Sequence, residues 1–254
     1  EVTAVYNGEF VDLDLHLARL ARTLEGLEII APDLDLAQIH QELIARNGLQ
    51  EGLVYLQVTA GTHGPRDFYG PEALTASVFA FASEKILIGD AARDGIAVIS
   101  HTDTRWARRD LKTTQLVSQS LAYRAARRAG ATTAVLHEDG VVTEAASAKL
   151  LIVTADGVLV TRNLSHALLP GVTRARALSM LASDGISLEE RAFTQVELGA
   201  AREAYTSSNG AMIAPVLSLD GRPIGSGVPG PMTRKVQAAY YRYIGADLDA
   251  LDWL

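Results

Sequence analysis

The 254-residue chain contains no cysteine. That absence excludes disulfides, thiolate metal ligands and a cysteine nucleophile together. No apolar run is long enough to cross a bilayer, so no membrane contact is expected and the protein is placed in the cytoplasm. The six histidines show no paired short spacing such as H-x-x-x-H, which leaves no metal site to expect. A net charge of -7 argues against a nucleic-acid surface, and the arginine clusters at 105–109 and 124–128 are interleaved with apolar and acidic residues. Lysine itself is scarce: Lys85, Lys112, Lys149 and Lys235 stand against many arginines.

What is present is an ordinary globular composition, 48% hydrophobic and 21% charged. The length suits two domains, expected at 1–86 and 91–254. Glu1-Val2-Thr3-Ala4-Val5-Tyr6 reads as a strand from its first residue, with an Asn7-Gly8 hairpin turn and a second short strand, so a segment preceding residue 1 is expected. Asp12 is the expected N-cap of a helix with Leu13, Leu17, Leu20, Leu24 and Leu27 on one face and with His16 and Arg19 on it together. A second helix begins at Asp35, with Gln38 completing a capping box. Strands at 53–60 and 75–82 close a small α/β domain.

In the second half a strand at 96–100 leads into Asp103-Thr104-Arg105-Trp106-Ala107-Arg108-Arg109-Asp110-Leu111-Lys112, and a helix is expected from Thr113 to Arg128. Hairpin-like pairs flank Asp139-Gly140 and Asp156-Gly157, and further strands are expected at 188–193, 204–208 and 211–217. A helix follows Pro170-Gly171-Val172-Thr173, a short one starts at Thr194, and 233–244 is a terminal helix.

In a chain that favours arginine, a lysine between Leu111 and Leu116 calls for an amine that can lose its proton and attack a carbonyl. Glu144, on the strand Val141-Val142-Thr143-Glu144, is a carboxylate that needs a cation if it turns inward. Gly171-Val172-Thr173 at a helix start, and Ser207-Ser208-Asn209-Gly210 in a turn, offer amide and hydroxyl donors to a phosphate. Lysine, acid and phosphate-holding turns are the parts a pyridoxal phosphate site requires.

In order along the chain, E-V-x-x-V-Y-N-G-E (Glu1 to Glu9), H-L-A-R-L (His16 to Leu20), V-Y-L-Q-V-T-x-G-T (Val54 to Thr62), T-R-W-x-R-x-D-L-K (Thr104 to Lys112), D-G-V-V-T-E (Asp139 to Glu144) and L-L-P-G-V-T-R (Leu168 to Arg174) resemble the D-amino acid aminotransferases of the fold type IV pyridoxal phosphate family. The resemblance implies an α+β fold, with a small α/β domain and a larger β-barrel-like domain with helices, and a homodimer. It implies that Lys112 is the Schiff-base lysine and proton carrier, and that Glu144 pairs with the pyridine nitrogen. Arg19, Val172, Thr173, Ser208 and Asn209 are implied at the phosphate, with Ser147 and Leu169 near the ring. Arg66 matches the arginine that grips a substrate carboxylate, lent from the partner subunit. The implied reaction moves an amino group from a D-amino acid to a 2-oxo acid such as 2-oxoglutarate or pyruvate. Aminodeoxychorismate lyase, branched-chain or (R)-amine transaminase, and an inactive cofactor-binding homologue are the alternatives.

The chain departs from the family at three places. Its Thr-Glu-Gly-Ser-Ser-Ser-Asn run reads here Thr143-Glu144-Ala145-Ala146-Ser147-Ala148-Lys149, without hydroxyls near the ring and without the asparagine. Arg66 is followed by Asp67-Phe68 instead of reaching a histidine two residues on. The family's N-terminal hairpin and the tyrosine preceding the position of Glu1 are not in this sequence.

Overall fold

Val2–Tyr6 (β1), with Thr3, Ala4 and Val5 all buried, and the pair Glu9–Phe10 (β2) fold as an antiparallel hairpin. Its turn puts Asn7 and Gly8 at positive φ, 53° and 74°, the geometry that matches strand twist and that this residue pair favours. The computed structural model describes residues 1–64, 68, 71, 74–183 and 185–254, Ser183 by its backbone alone. Two units result: residues 1–86 with 111–113, and residues 87–110 with 114–254.

In the first unit, helices Leu13–Gly26 (α1) and Leu36–Asn47 (α2) precede strands Gly52–Thr59 (β3) and Ser77–Glu84 (β4). The antiparallel sheet runs β2-β1-β3-β4. Gly52, Val54 and Leu56 alternate inward along the first part of β3, and Val54 and Leu56, fully buried, meet Leu49 just beyond α2 and Leu20 and Leu24 of α1 respectively. Asp12 does not cap α1 with its side chain. Its backbone is left-handed (φ 55°), and an N-cap bond needs an extended backbone at that position. Nor is the leucine row the most deeply buried stripe of α1: that stripe contains His16, Arg19, Leu20, Thr23 and Leu24, while Leu13 and Leu17 are half-buried. Asp35 does cap α2 through the Gln38 N–H at 2.9 Å, but the Gln38 side chain turns to Glu42, so the reciprocal half of a capping box is not made.

The second unit contains Asp90–Asp94 (α3), Ile96–Thr102 (β5), Val117–Arg128 (α4), Thr133–Glu138 (β6), Val141–Ala145 (β7), Lys149–Val153 (β8), Leu159–Thr161 (β9), Val172–Ser183 (α5), Leu188–Glu190 (β10), Gln195–Gly199 (α6), Glu203–Ser208 (β11), Met212–Leu219 (β12), Arg222–Pro223 (β13) and Pro231–Tyr243 (α7), then a 3-10 turn at Leu248–Ala250. The sheet order is β10-β9-β8-β11-β12-β5-β6-β7, with β13 beside β12. It curls until its two margins meet: Val141 of β7 bridges Thr194, and the Val142 N–H donates to the Phe193 carbonyl at 2.9 Å. Val98, Val135, Val142, Leu150, Ile152 and Phe193 fill the interior that this curling encloses. The result is the α+β architecture with a curled, barrel-like sheet that the motifs imply. The strand expected at 188–193 ends at Glu190: Arg191 still donates to the Thr161 carbonyl of β9 at 2.9 Å, and beyond it Phe193 and Thr194 turn to β7 and close the sheet. Among the described residues, no helix is long and apolar enough to cross a membrane.

Candidate active site

Lys112 belongs to the first unit through the three-residue stretch 111–113. Leu111 is buried and lies over Gly26, where an added Cβ would come within 2.7 Å of its Cδ2. The Lys112 N–H donates to Thr23 Oγ1 at 3.3 Å, and that bond helps explain why the helix expected from Thr113 begins only at Val117: the segment is tied to a side chain instead of entering a helical ladder. Thr23, Arg19 and His16 lie on one face of α1 at helical spacing.

Removal of water around half-buried Lys112 pushes its pKa below the ordinary lysine value, with Glu1 opposing and Arg19 adding to the shift. The result is an amine that gives up its proton more readily than one in water. Arg108 and Arg109, near Lys112 in sequence, are tied to Asp110 and to Glu138 and Asp103. Arg19 donates from Nε to Glu1 Oε1 at 3.0 Å and from Nη2 to Oε2 at 2.6 Å, while His16 Nδ1 lies 2.9 Å from the same carboxylate. Burial alone would raise the Glu1 carboxyl, but hydrogen bonds with His16 and Arg19 and the Arg19 charge outweigh it and hold the group far below the usual carboxylate range. His16, fully buried, is held neutral to lower pH than usual by burial, against the pull of Glu1.

In the second unit Glu144 is turned inward, its side chain only 3% exposed, and it finds the cations such a position requires. Arg105 Nη1 and the Leu169 N–H, the latter at 3.4 Å, donate to Oε1; the Lys149 ammonium is paired with Oε2. Arg105 is fixed in turn by Asp103, from Nε at 2.9 Å and from Nη2 at 2.7 Å. Asp103 is fully buried at its side chain and also accepts from Thr143 Oγ1 at 2.7 Å. Burial raises its carboxyl, and the stronger effect of Arg105 and Thr143 brings it below the ordinary value, so it stays ionised. Arg105 is thereby engaged by two carboxylates of this unit.

The two stretches expected to hold a phosphate come together: Thr173 Oγ1 donates to Asn209 Oδ1 at 2.9 Å. Ala175 makes the first α5 bond, to the Gly171 carbonyl, which leaves the N–H groups of Val172, Thr173 and Arg174 ahead of the helical ladder. Ser208 follows at the end of β11, half-buried. The neighbouring Ser207 has a buried hydroxyl without a hydrogen-bond partner among the described residues. Ser147 is exposed in the turn between β7 and β8 and is paired with the Tyr123 hydroxyl. Arg66, and Asp67 with it, lie outside the described residues. Asp103 and Arg105 were not assigned to the acid's surroundings from sequence, and Lys149 was noted only as a departure. The sequence offers for the first two only an acid followed by arginines at 105, 108 and 109, which does not point to Glu144.

This arrangement places a proton-labile amine in one unit, and a doubly paired acid and a set of phosphate-type donors in the other. Comparison with known proteins points the same way. The D-alanine aminotransferase of Bacillus licheniformis is 35% identical over 241 residues, 94% of this chain and 84% of the relative. The branched-chain amino acid aminotransferase of Escherichia coli shares the fold with a TM-score of 0.86 at 23% identity, over 96% of this chain and 84% of that one. A hypothetical aminotransferase from Mycobacterium tuberculosis in a PLP-bound form gives a TM-score of 0.82 at 21% identity, over 96% and 88% of the two chains. The Amino-transferase class IV family model matches residues 1–219, a span that holds Lys112, Glu144, Thr173 and Asn209, and by that match the chain belongs to the class IV aminotransferases.

Proposed function

We propose that the protein is a pyridoxal phosphate-dependent D-amino acid transaminase that passes an amino group from a D-amino acid to a 2-oxo acid, working as a homodimer. The observation that carries this reading is the placement of half-buried Lys112, the lysine of the Arg-Trp-x-x-x-Asp-Leu-Lys motif, tied through Thr23 to the face of α1 that also carries Arg19, in surroundings that lower its pKa. The D-alanine aminotransferases among its relatives favour the D-amino acid substrate.

The residues present fit the cofactor. Ser207 keeps a buried hydroxyl without a partner among the described residues, beside the Ser208-Asn209 turn, and Glu144 is a buried carboxylate backed by two cations and a backbone N–H. Bound pyridoxal phosphate would supply an aldehyde to receive the amino group and a ring to withdraw the electrons left when a Cα proton departs. Arg19, Val172, Thr173, Ser208 and Asn209 hold the phosphate in this reading, with the α5 dipole favouring negative charge. Glu144 would meet the ring nitrogen, and Leu169 and Ser147 would be the residues nearest the ring. Lys112 Nζ would be the point of covalent attachment, and its amine in neutral form would take the substrate's Cα proton and return it to complete the transfer. Arg66 grips the substrate carboxylate from the partner subunit, a task suited to a planar guanidinium.

Borohydride reduction of the holoenzyme followed by peptide mapping is expected to label Lys112 and no other lysine. D-alanine or D-glutamate should then bleach the visible absorbance of unreduced holoenzyme, and a 2-oxo acid should restore it. Label on Lys85, Lys149 or Lys235, or bleaching by L-leucine alone, would reject the reading. Pyruvate release from aminodeoxychorismate without an amino acceptor would turn it into a lyase.

A further inference from the structure

Lys149 opens β8, a strand buried along its whole length, and its side chain is only 7% exposed. Its methylene stem lies against Gly171: a Cβ there would fall 2.6 Å from Lys149 Cγ and 3.1 Å from Cε. That contact is with the stem, not a mobile tip, so the ammonium is delivered to Glu144 along a defined track. Glu144 Oε1 already takes Arg105 and the Leu169 N–H, and Lys149 occupies Oε2. One buried carboxylate therefore stands between two cations before any ligand arrives. A protonated ring nitrogen presented to it is a third positive charge, and like charges close together in a site of low polarity disfavour one another's protonated forms.

We propose that Lys149 is a positioning residue that shares the Glu144 carboxylate with Arg105 and so weakens the hold of the bound cofactor's ring nitrogen on its proton. This rests on the reading that pyridoxal phosphate is attached at Lys112 and faces Glu144. The sign is the same by two routes. Without Lys149 the carboxylate becomes more basic toward the ring N–H, and the ring loses a cationic neighbour; both raise the nitrogen's proton affinity. Lys149 thus sets how strong an electron sink the ring is, without touching the substrate.

The test uses holoenzyme loaded with pyridoxal phosphate labelled with 15N in the ring, whose chemical shift separates the protonated from the unprotonated nitrogen and is followed against pH. Lys149→Met keeps an apolar stem against Gly171 and removes the charge. It should move the protonation midpoint upward, raising the proton affinity roughly tenfold or more. Lys149→Asn is a second neutral variant, carrying the same expectation should the Met protein not fold. Lys149→Arg keeps the charge and should titrate as the parent does. The proposal is overturned if the neutral variants, with cofactor attached at Lys112, keep the parent midpoint, or if the parent nitrogen is already protonated throughout the range in which the protein is folded. Failure of the parent to retain cofactor, or attachment elsewhere than Lys112, overturns the functional reading itself and is seen before any variant is made.

Discussion

Lys112 is held under two opposed demands. Folding favours a charged lysine in water, whereas carbonyl chemistry needs a neutral one, and the environment built by Thr23, Arg19 and the buried face of α1 meets the second demand at the expense of the first. In the unfolded chain a lysine titrates near 10.4, and the native value lies below that. Between the two, the unfolded chain holds a proton that the native one has released, so stability rises with pH across that window. The full penalty of burying the charge applies at and below the native pKa, and it disappears above the unfolded one. Replacing Lys112 by Met in the cofactor-free protein is therefore expected to stabilise by about 1–2 kcal/mol at pH 7 and by less near pH 10. Urea denaturation at the two pH values measures this; a gain that grows with pH would contradict the desolvation argument. Glu144 was legible at the same scale, because an acid after Val141-Val142-Thr143 can turn inward and must then find a cation. Its partners were not. Arg105 reaches it from an irregular loop with no periodicity to read, and Lys149 stands at the head of an apolar run, Leu150 to Val153, where a sequence reading sees only a buried strand.

Helix boundaries depended on what lay beyond each helix. The start of α5 after Pro170-Gly171 and the short helix at Thr194 were readable, the latter because Thr194 and Glu197 form a complete capping box. The start of α7 carries a cap that local sequence does not disclose: Glu203 of β11 accepts from the N–H groups of Met232 at 3.0 Å and Thr233 at 2.8 Å, and from Thr233 Oγ1 at 2.8 Å. A carboxylate at the positive end of a helix, 94% buried, replaces the side-chain cap that Gly230 lacks. Gly230 itself leaves room for it, since a Cβ there would meet Glu203 Cδ at 2.1 Å. Glu203→Ala should destabilise by about 2–4 kcal/mol, more than loss of an exposed cap, because it also leaves buried N–H groups unpaired. Denaturant unfolding of the variant tests this, and a loss under about 0.5 kcal/mol would show that water replaces the carboxylate without difficulty.

For the whole molecule, the order of motifs made the division near residue 86 expected, but not that residues 111–113 would belong with the N-terminal part, since that depends on Leu111 meeting Gly26 and Lys112 meeting Thr23 across a long stretch of chain. The proposed reach of Arg66 into a partner's site has a clean test in mixed dimers. Arg66→Ala and Lys112→Ala proteins, each impaired alone, are refolded together; random pairing makes half the dimers mixed, and each mixed dimer restores one of its two sites. Activity on D-alanine should recover to about a quarter of the parent. Recovery no greater than the sum of the two variants alone would place Arg66 in the same subunit as its lysine, or outside the site.

The stitching of 111–113 into the N-terminal unit also bears on how the protein is made. A ribosome releases residues 1–86 first, yet the nascent unit has an unfilled place over Gly26 until Leu111 emerges. The same few residues that complete this packing carry the amine, so Lys112 cannot be set in its water-poor environment before the first strand of the second unit, β5, has left the tunnel. The reactive nitrogen is thereby withheld from carbonyl compounds in its activated form until translation has passed residue 113 and the first unit is complete.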